Sequence, residues 1–184
     1  NNGDLNKKAA SELRTLVSNK VLTNSTGLDN FLGELTLGKP INEYCAWIQS
    51  DTSWGGAIEL SILAKHYQMC VNAIDIKSGR VDRYCVEYGP TKSIYLLYDG
   101  MHYDPLFAEI SSINLKYYNF KQNSEFTEKI EKAFLTFADN LREKREFTDD
   151  QMAVICGDCN EIFETIVQAS KHGADTGHSN FIQT

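Results

Sequence analysis

The chain has no surplus of positive charge: 18 Lys and Arg stand against 25 Asp and Glu, a formal net charge of −7. Non-specific attachment to nucleic acid or to anionic lipid needs a basic surface, so DNA and membranes are disfavoured as partners. Also missing is any apolar run approaching ~18 residues, the length a membrane helix requires. The opening Asn1-Asn2-Gly3-Asp4 has neither the basic start nor the apolar segment of a signal peptide, and it lacks an initiator Met, so the chain can be a fragment with a segment upstream. Five cysteines, an odd number, suit a reducing compartment better than a disulfide framework, and a cytoplasmic or nuclear location is expected. Internal repeats and low-complexity tracts are absent. What remains, 42% hydrophobic and 11% aromatic over 184 residues, suffices for one domain of ordinary core size and a small appendage.

The first third reads as helical. Leu5, Ala9, Leu13, Leu16 and Val17 recur at helical spacing over 5–22 behind Asp4 as N-cap, and 28–35 forms a short helix. Asn42 can cap a helix presenting Tyr44, Trp47 and Ile48, and residues 57–66 form another with Ile58, Ile62 and Leu63 inward. The middle third changes period, with strand-like runs at 70–76, 81–86, 93–98 and 101–106 separated by turns at Ser78-Gly79 and Gly89-Pro90. Short connections predict a small central, mostly antiparallel sheet flanked by helices, hence the α+β class. Residues 111–123 show no clean period and read as loop, after which Ser124 caps a long helix carrying Ile130, Phe134, Phe137 and Leu141. The expected organisation is a domain over 1–123, a helix and linker over 124–150, and a separate module over 151–184.

That module holds Cys156-Gly157-Asp158-Cys159, twelve residues, His172, five residues and His178, the spacing of a two-Cys/two-His zinc finger of ββα type. A tight turn brings both thiolates to one side of the ion, and a following helix offers both imidazoles, closing a tetrahedron of Cys156, Cys159, His172 and His178. Phe163 and Val167 supply the few apolar contacts such a module needs. Asp158, Glu161, Glu164 and Asp175 face a single Lys171 and no Arg, so the module cannot make the common bidentate contact to guanine. A structural or protein-binding finger is expected, not a DNA reader.

A second constellation lies at Tyr98-Asp99-Gly100-Met101-His102-Tyr103-Asp104-Pro105-Leu106. Asp-Gly between two strand-like runs is a strong hairpin signal, because the turn needs positive φ and Gly accepts it. On the return strand His102 and Asp104 face the same way, their Cα atoms about 6.6 Å apart at the usual rise. A carboxylate holding one ring nitrogen fixes the tautomer and leaves the other nitrogen as a base. The bland alternative is a hydrogen-bonded strand histidine beside a turn-forming Asp. The functional one needs a nucleophile, and neither Cys45 nor Cys70 nor Cys85 stands out as a reactive thiol.

Trp54-Gly55-Gly56-Ala57-Ile58-Glu59-Leu60-Ser61-Ile62-Leu63-Ala64, followed by the hairpin, resembles the two downstream signatures of the OTU (ovarian tumour) cysteine deubiquitinases. Asn42-Glu43-Tyr44-Cys45-Ala46-Trp47-Ile48 before them and Thr176-Gly177-His178-Ser179-Asn180-Phe181 after them extend that resemblance through nearly the whole chain. It implies a papain-like fold and a cysteine protease that cleaves the isopeptide bond after the ubiquitin C-terminal glycine, with ubiquitin and polyubiquitin as partners. It makes His102 the general base and Asp104 its orienting residue. Ser53, Trp54, Gly55, Gly56 and Tyr103 become ubiquitin contacts, although Trp54 can equally be a core anchor. It also implies a Cdc48-type AAA ATPase as partner, engaged through an N-terminal ubiquitin-like domain that these residues do not include. The family's nucleophile sits in an Asp-x-x-Cys loop opening a helix, expected upstream of Asn1. The alternative is a non-catalytic ubiquitin- or partner-binding module.

Overall fold

The computed structural model describes residues 2–23, 36–51, 53–85, 92–144, 153–178 and 180–183. Contacts gather the chain into two units, one of Asn1–Leu63 with Asp150–Thr184 and one of Ala64–Asp149. Among the described residues no helix is long and apolar enough to cross a membrane. The helix expected at 28–35 and the turn at Gly89-Pro90 lie outside the described residues.

In the first unit α1 (Asn2–Leu22) and α2 (Ile41–Ile48) pack together, and α3 (Ala57–Tyr67) begins. Val17, Val21, Leu37, Tyr44, Cys45, Ile48 and Ile62 form their buried core. The helix α1 already runs from Asn2, ahead of the Asp4 expected to cap it. Pro40, not Asn42, is the N-cap of α2: proline's fixed φ, −54° here, and its missing N–H suit a helix start, and Asn42 falls inside the first turn. A short module over 153–183 completes the unit, with β8 (Val154–Cys156), β9 (Ile162–Phe163), α5 (Ile166–Thr176) and β10 (Phe181–Gln183) in strand order β10-β8-β9. Thr165 caps α5 by accepting from the Gln168 N–H, and Gly177 ends it at φ 77°. Phe163 is buried here as expected, while the side chain of Val167 lies outside what is described.

The second unit is a five-stranded sheet in the order β2 (Val81–Tyr84), β1 (Cys70–Asp75), β3 (Lys92–Tyr98), β4 (Tyr103–Leu106), with β7 (Phe120–Lys121) also on β3. The sheet is mixed. Pairs β1–β2, β3–β4 and β3–β7 are antiparallel, but the central pair β1–β3 is parallel, with Cys70 opposite Ser93 and Asp75 opposite Tyr98. The hairpin from β1 sends β2 to the edge, so β3 must return beside β1 in the same direction. Residues read as loop at 111–123 contain structure: a 3₁₀ turn at Ser111–Ile113, β6 (Leu115–Tyr117), which pairs antiparallel with β5 (Ala108–Ile110) just before the stretch, and β7. Strands this short, with exposed side chains on β6, carry no alternation to read.

Helix α4 (Glu125–Glu143) starts where Ser124 accepts from the Thr127 N–H, as the sequence predicts. Its inward face is Ile130, Phe134, Ala138 and Leu141, packed with Ile74, Ile76, Tyr95, Leu97, Leu106 and Phe120. Phe137, expected inward, is exposed, and Ala138 takes the buried position because only a small side chain lets helix and sheet approach there. Emptying the Phe134 site by Phe134→Ala is expected to cost about 3–5 kcal/mol.

Polar groups at the sheet's other end are matched in one network. Arg83 donates to both oxygens of Glu131, at 2.7 and 3.0 Å, and to Oδ1 of buried Asn72 at 2.9 Å, while the Tyr95 hydroxyl donates to Glu131 at 2.8 Å. The Arg83 bonds hold the Glu131 carboxyl below its ordinary range, and burial pushes the Tyr95 phenol up, keeping it a donor. A carboxyl with a depressed native pKa stabilises the fold above its unfolded value, ~4.3, and loses that contribution as pH falls through the native value. Glu131→Gln is therefore expected to lower the denaturant midpoint at pH 7, and the gap from wild type should close as unfolding is repeated at successively more acid pH.

Candidate functional site

The hairpin between β3 and β4 is fixed from several sides. Gly100 adopts φ 105°, the conformation the Asp-Gly signal predicts. The Asp99 N–H donates to the His102 carbonyl at 3.2 Å, closing the turn. The Asp99 carboxylate then accepts from the Met101 and His102 N–H groups at 2.8 and 2.6 Å, and the Tyr98 hydroxyl donates to the Gly100 carbonyl at 2.7 Å. The Tyr98 and Tyr103 rings stack at 4.5 Å across the strand pair, and burial raises the Tyr98 phenol pKa. The turn itself was expected but the side-chain supports from Asp99, Tyr98 and Tyr103 were not, although an Asp opening a turn is a known acceptor for the N–H groups two and three residues on.

On this support His102 Nδ1 lies 3.2 Å from Asp104 Oδ1. His102 falls just before β4 and Asp104 within it, opposite Leu97. With Nδ1–H donating to the carboxylate, a neutral ring keeps its lone pair on Nε2. Both side chains are largely exposed, 73% and 63%, so Nε2 is open to a reacting partner.

The stretch before α3 belongs to the first unit. Arg14 donates to the carbonyls of Ile48 at 3.0 Å and Ser53 at 2.6 Å. Buried Ser53 donates its hydroxyl to the Trp47 carbonyl at 2.5 Å, which makes it a fastening of the loop. Glu59 accepts from the Gly56 N–H at 2.5 Å and from the Tyr44 hydroxyl. Between these anchors Trp54 is 41% exposed, which a core anchor would not be, and a Cβ on Gly56 would meet no atom within 4 Å. Tyr103 belongs to the second unit with His102 and Asp104.

In the short module the ligand atoms of Cys156, Cys159, His172 and His178 all lie within 4.8 Å of one another. Cys156 Sγ is 3.5 Å from His178 Nδ1, Cys159 Sγ is 3.4 Å from His172 Nε2, and the two ring nitrogens are 3.0 Å apart. Tetrahedral edges for zinc bonded to sulfur and nitrogen are roughly 3.3–3.8 Å; the two sulfur–nitrogen pairs fall within that range and the nitrogen pair is shorter, so the four residues form a group that could hold a metal ion. His172 turns Nδ1 toward Glu161 Oε2 at 3.2 Å, which leaves Nε2 as the donor facing the cluster. Glu161, between the pairs, carries no motif of its own and was not foreseen.

The remaining cysteines are accounted for: Cys45 is buried with its thiol 3.5 Å from the Ser18 carbonyl, and the Cys70 and Cys85 sulfurs adjoin. An α+β domain with an imidazole and a carboxylate paired on a braced hairpin is of the kind that thiol and serine hydrolases use. Residues 1–105 match the OTU-like cysteine protease family, to which the chain belongs. It is 36% identical over 183 residues to the ubiquitin thioesterase OTU1 of Homo sapiens, covering 97% of this chain and 50% of that protein. The Danio rerio protein of the same name is 39% identical over 173 residues, covering 94% and 56%. A solved OTU domain in complex with ubiquitin superposes with a TM-score of 0.63 at 28% identity, covering 74% of each chain. The chain thus spans about half the length of the curated relatives it matches.

Asp99→Ala removes the acceptor for two backbone donors and is expected to cost about 1–2 kcal/mol in chemical denaturation, with Asp99→Asn, which retains an oxygen, losing less.

Proposed function

We propose that the chain is the base-bearing part of a deubiquitinating cysteine protease, which hydrolyses the isopeptide bond after the ubiquitin C-terminal glycine. The observation that carries this reading is the His102–Asp104 pair on its braced hairpin in a chain of the OTU-like cysteine protease family. His102 Nε2 takes the proton of a cysteine thiol, and the thiolate attacks the scissile carbonyl. The resulting imidazolium returns the proton to the leaving lysine amine, and the acyl-enzyme is then hydrolysed. Asp104 keeps Nδ1 protonated and the ring turned toward the thiol throughout. We place the thiol outside residues 1–184, as the resemblance to the family implies; Cys45 is buried, Cys70 and Cys85 lie at the end of β1 remote from the hairpin, and Cys156 and Cys159 belong to the Cys/His cluster.

The stretch Trp54-Gly55-Gly56 takes the extended ubiquitin tail: Gly permits close backbone approach, and Trp54 offers an exposed apolar surface. Ser53 serves by holding that stretch to Trp47, and Tyr103 by its stack beneath the hairpin. Polyubiquitin is the substrate, and a Cdc48-type AAA ATPase is the partner of an N-terminal domain. The cluster of Cys156, Cys159, His172 and His178 holds a structural zinc ion, which supplies folding energy to a module too small for a full core. A reducing compartment, cytoplasm or nucleus, keeps its thiols available.

A ubiquitin probe with an electrophilic C-terminus, added to the protein extended upstream of Asn1, is expected to label a cysteine outside residues 1–184. His102→Ala should slow that labelling about 10²–10⁴-fold. Labelling at Cys45, Cys70 or Cys85 would overturn the assignment of the thiol, and ubiquitin binding without labelling would favour a binding module. Metal analysis of the purified chain should find zinc in equal amount to protein, lost in Cys159→Ser; a chain that retains its fold over 153–183 after chelation sinks the zinc site.

A further inference from the structure

Cys70 and Cys85 take no part in the hairpin or in the ligand cluster, yet their positions are matched. The register of β1 and β2 sets Val71 opposite Tyr84, so one step outward sets Cys70 opposite Cys85. Their Cα atoms are 4.4 Å apart and their sulfurs adjoin. That separation is typical of a cross-strand pair at a non-hydrogen-bonded position and lies within the range a disulfide spans. Cys70 is buried, whereas Cys85 is exposed. Both line a cavity of about 570 Å³ whose wall also includes Asn72, Arg83, Tyr95 and Glu131. A space of that order admits a small molecule to the outer sulfur.

We propose that Cys70 and Cys85 form a redox-active dithiol, which exchanges reversibly with low-molecular-weight disulfides of the glutathione type. The exposed Cys85 thiolate attacks one sulfur of the small disulfide, forming a mixed disulfide and expelling one small thiolate, which takes up the proton Cys85 lost. Cys70, giving up its own proton, then attacks the Cys85 sulfur and expels the second thiolate. Two protein S–H bonds become one S–S bond, and the small disulfide is reduced to two thiols. Reduction runs the same steps backward. Cys85 is the entry point because the exchange requires an accessible sulfur, and Cys70 resolves because it lies directly across the ladder.

The bond closes a ring between residues 15 apart in sequence and ties the end of edge strand β2 to β1. It does so at the Cys70 end of β1, whereas the hairpin follows Tyr98, which pairs with Asp75 at the other end. Five steps of strand separate the two, roughly 17 Å. In the reducing compartment proposed above, a disulfide with one exposed sulfur is of the labile, sensing class, unlike a structural bridge of a secreted protein.

The test is to equilibrate the purified, zinc-loaded chain in glutathione buffers of rising disulfide fraction, trap free thiols by alkylation and map peptides by mass spectrometry. A Cys70–Cys85 crosslink should appear in one transition and vanish with excess reduced glutathione. Amide exchange in Val81–Tyr84 should slow in the oxidised chain, and the His102 ring resonances should not move. Cys70→Ser should trap glutathione on Cys85, whereas Cys85→Ser should leave Cys70 unmodified. The proposal fails if both thiols remain alkylatable across the whole series, if Cys85 of the unaltered chain stops at the glutathione adduct, or if the crosslink forms but resists reduced glutathione.

Discussion

Strand β3 has two edges and three partners, and the arrangement of the second unit follows from how they are divided. Strand β1 takes one edge along its full length, in parallel, so β4 and β7 share the other, β4 at Tyr95–Tyr98 and β7 at Lys92–Ser93. Every backbone group of a buried strand must find a partner, and this division provides one along nearly its whole course. Alternate residues of β3 then point into the core, where Tyr95 and Leu97 meet Phe134 and Ala138 of α4. The hairpin that carries His102 leaves this strand directly, so its position is inherited from the best-anchored element of the sheet.

What was legible in the sequence was local. His102 and Asp104 could be placed on one side because a spacing of two in extended chain favours it; β4 begins only at Tyr103, one residue after His102, and the nitrogen and oxygen still meet at 3.2 Å. Ser124 could be recognised as a cap, and the four Cys and His residues that could hold a metal ion by their spacing, because each depends on neighbours within a turn or a short module. The OTU resemblance rested on short stretches, and the family match over 1–105 with the relatives aligned along most of the chain bears the family out.

What escaped was pairwise and distant. The parallel β1–β3 pairing joins residues more than twenty positions apart, and no local pattern distinguishes it from an antiparallel meander. Glu131 reaches Arg83 across 48 positions, and Arg14 reaches Ser53 across 39. Phe137 and Ala138 were exchanged because helical spacing locates a face to within one residue, and the size of the gap between helix and sheet then decides which side chain occupies it. The Cys70–Cys85 opposition required the β1–β2 register, which cysteine counting alone cannot supply.

One consequence of the hairpin concerns motion. His102 and Asp104 stand two positions apart at the start of β4, behind a turn whose backbone donors at Met101 and His102 are taken up by Asp99. Any displacement large enough to carry one of them carries the other, so their mutual alignment is insensitive to breathing of the surrounding domain. The backbone that carries the two residues is thus held as one piece by the turn and the β3–β4 ladder. Perturbation short of melting the β3–β4 ladder should therefore move the two residues together rather than draw one away from the other.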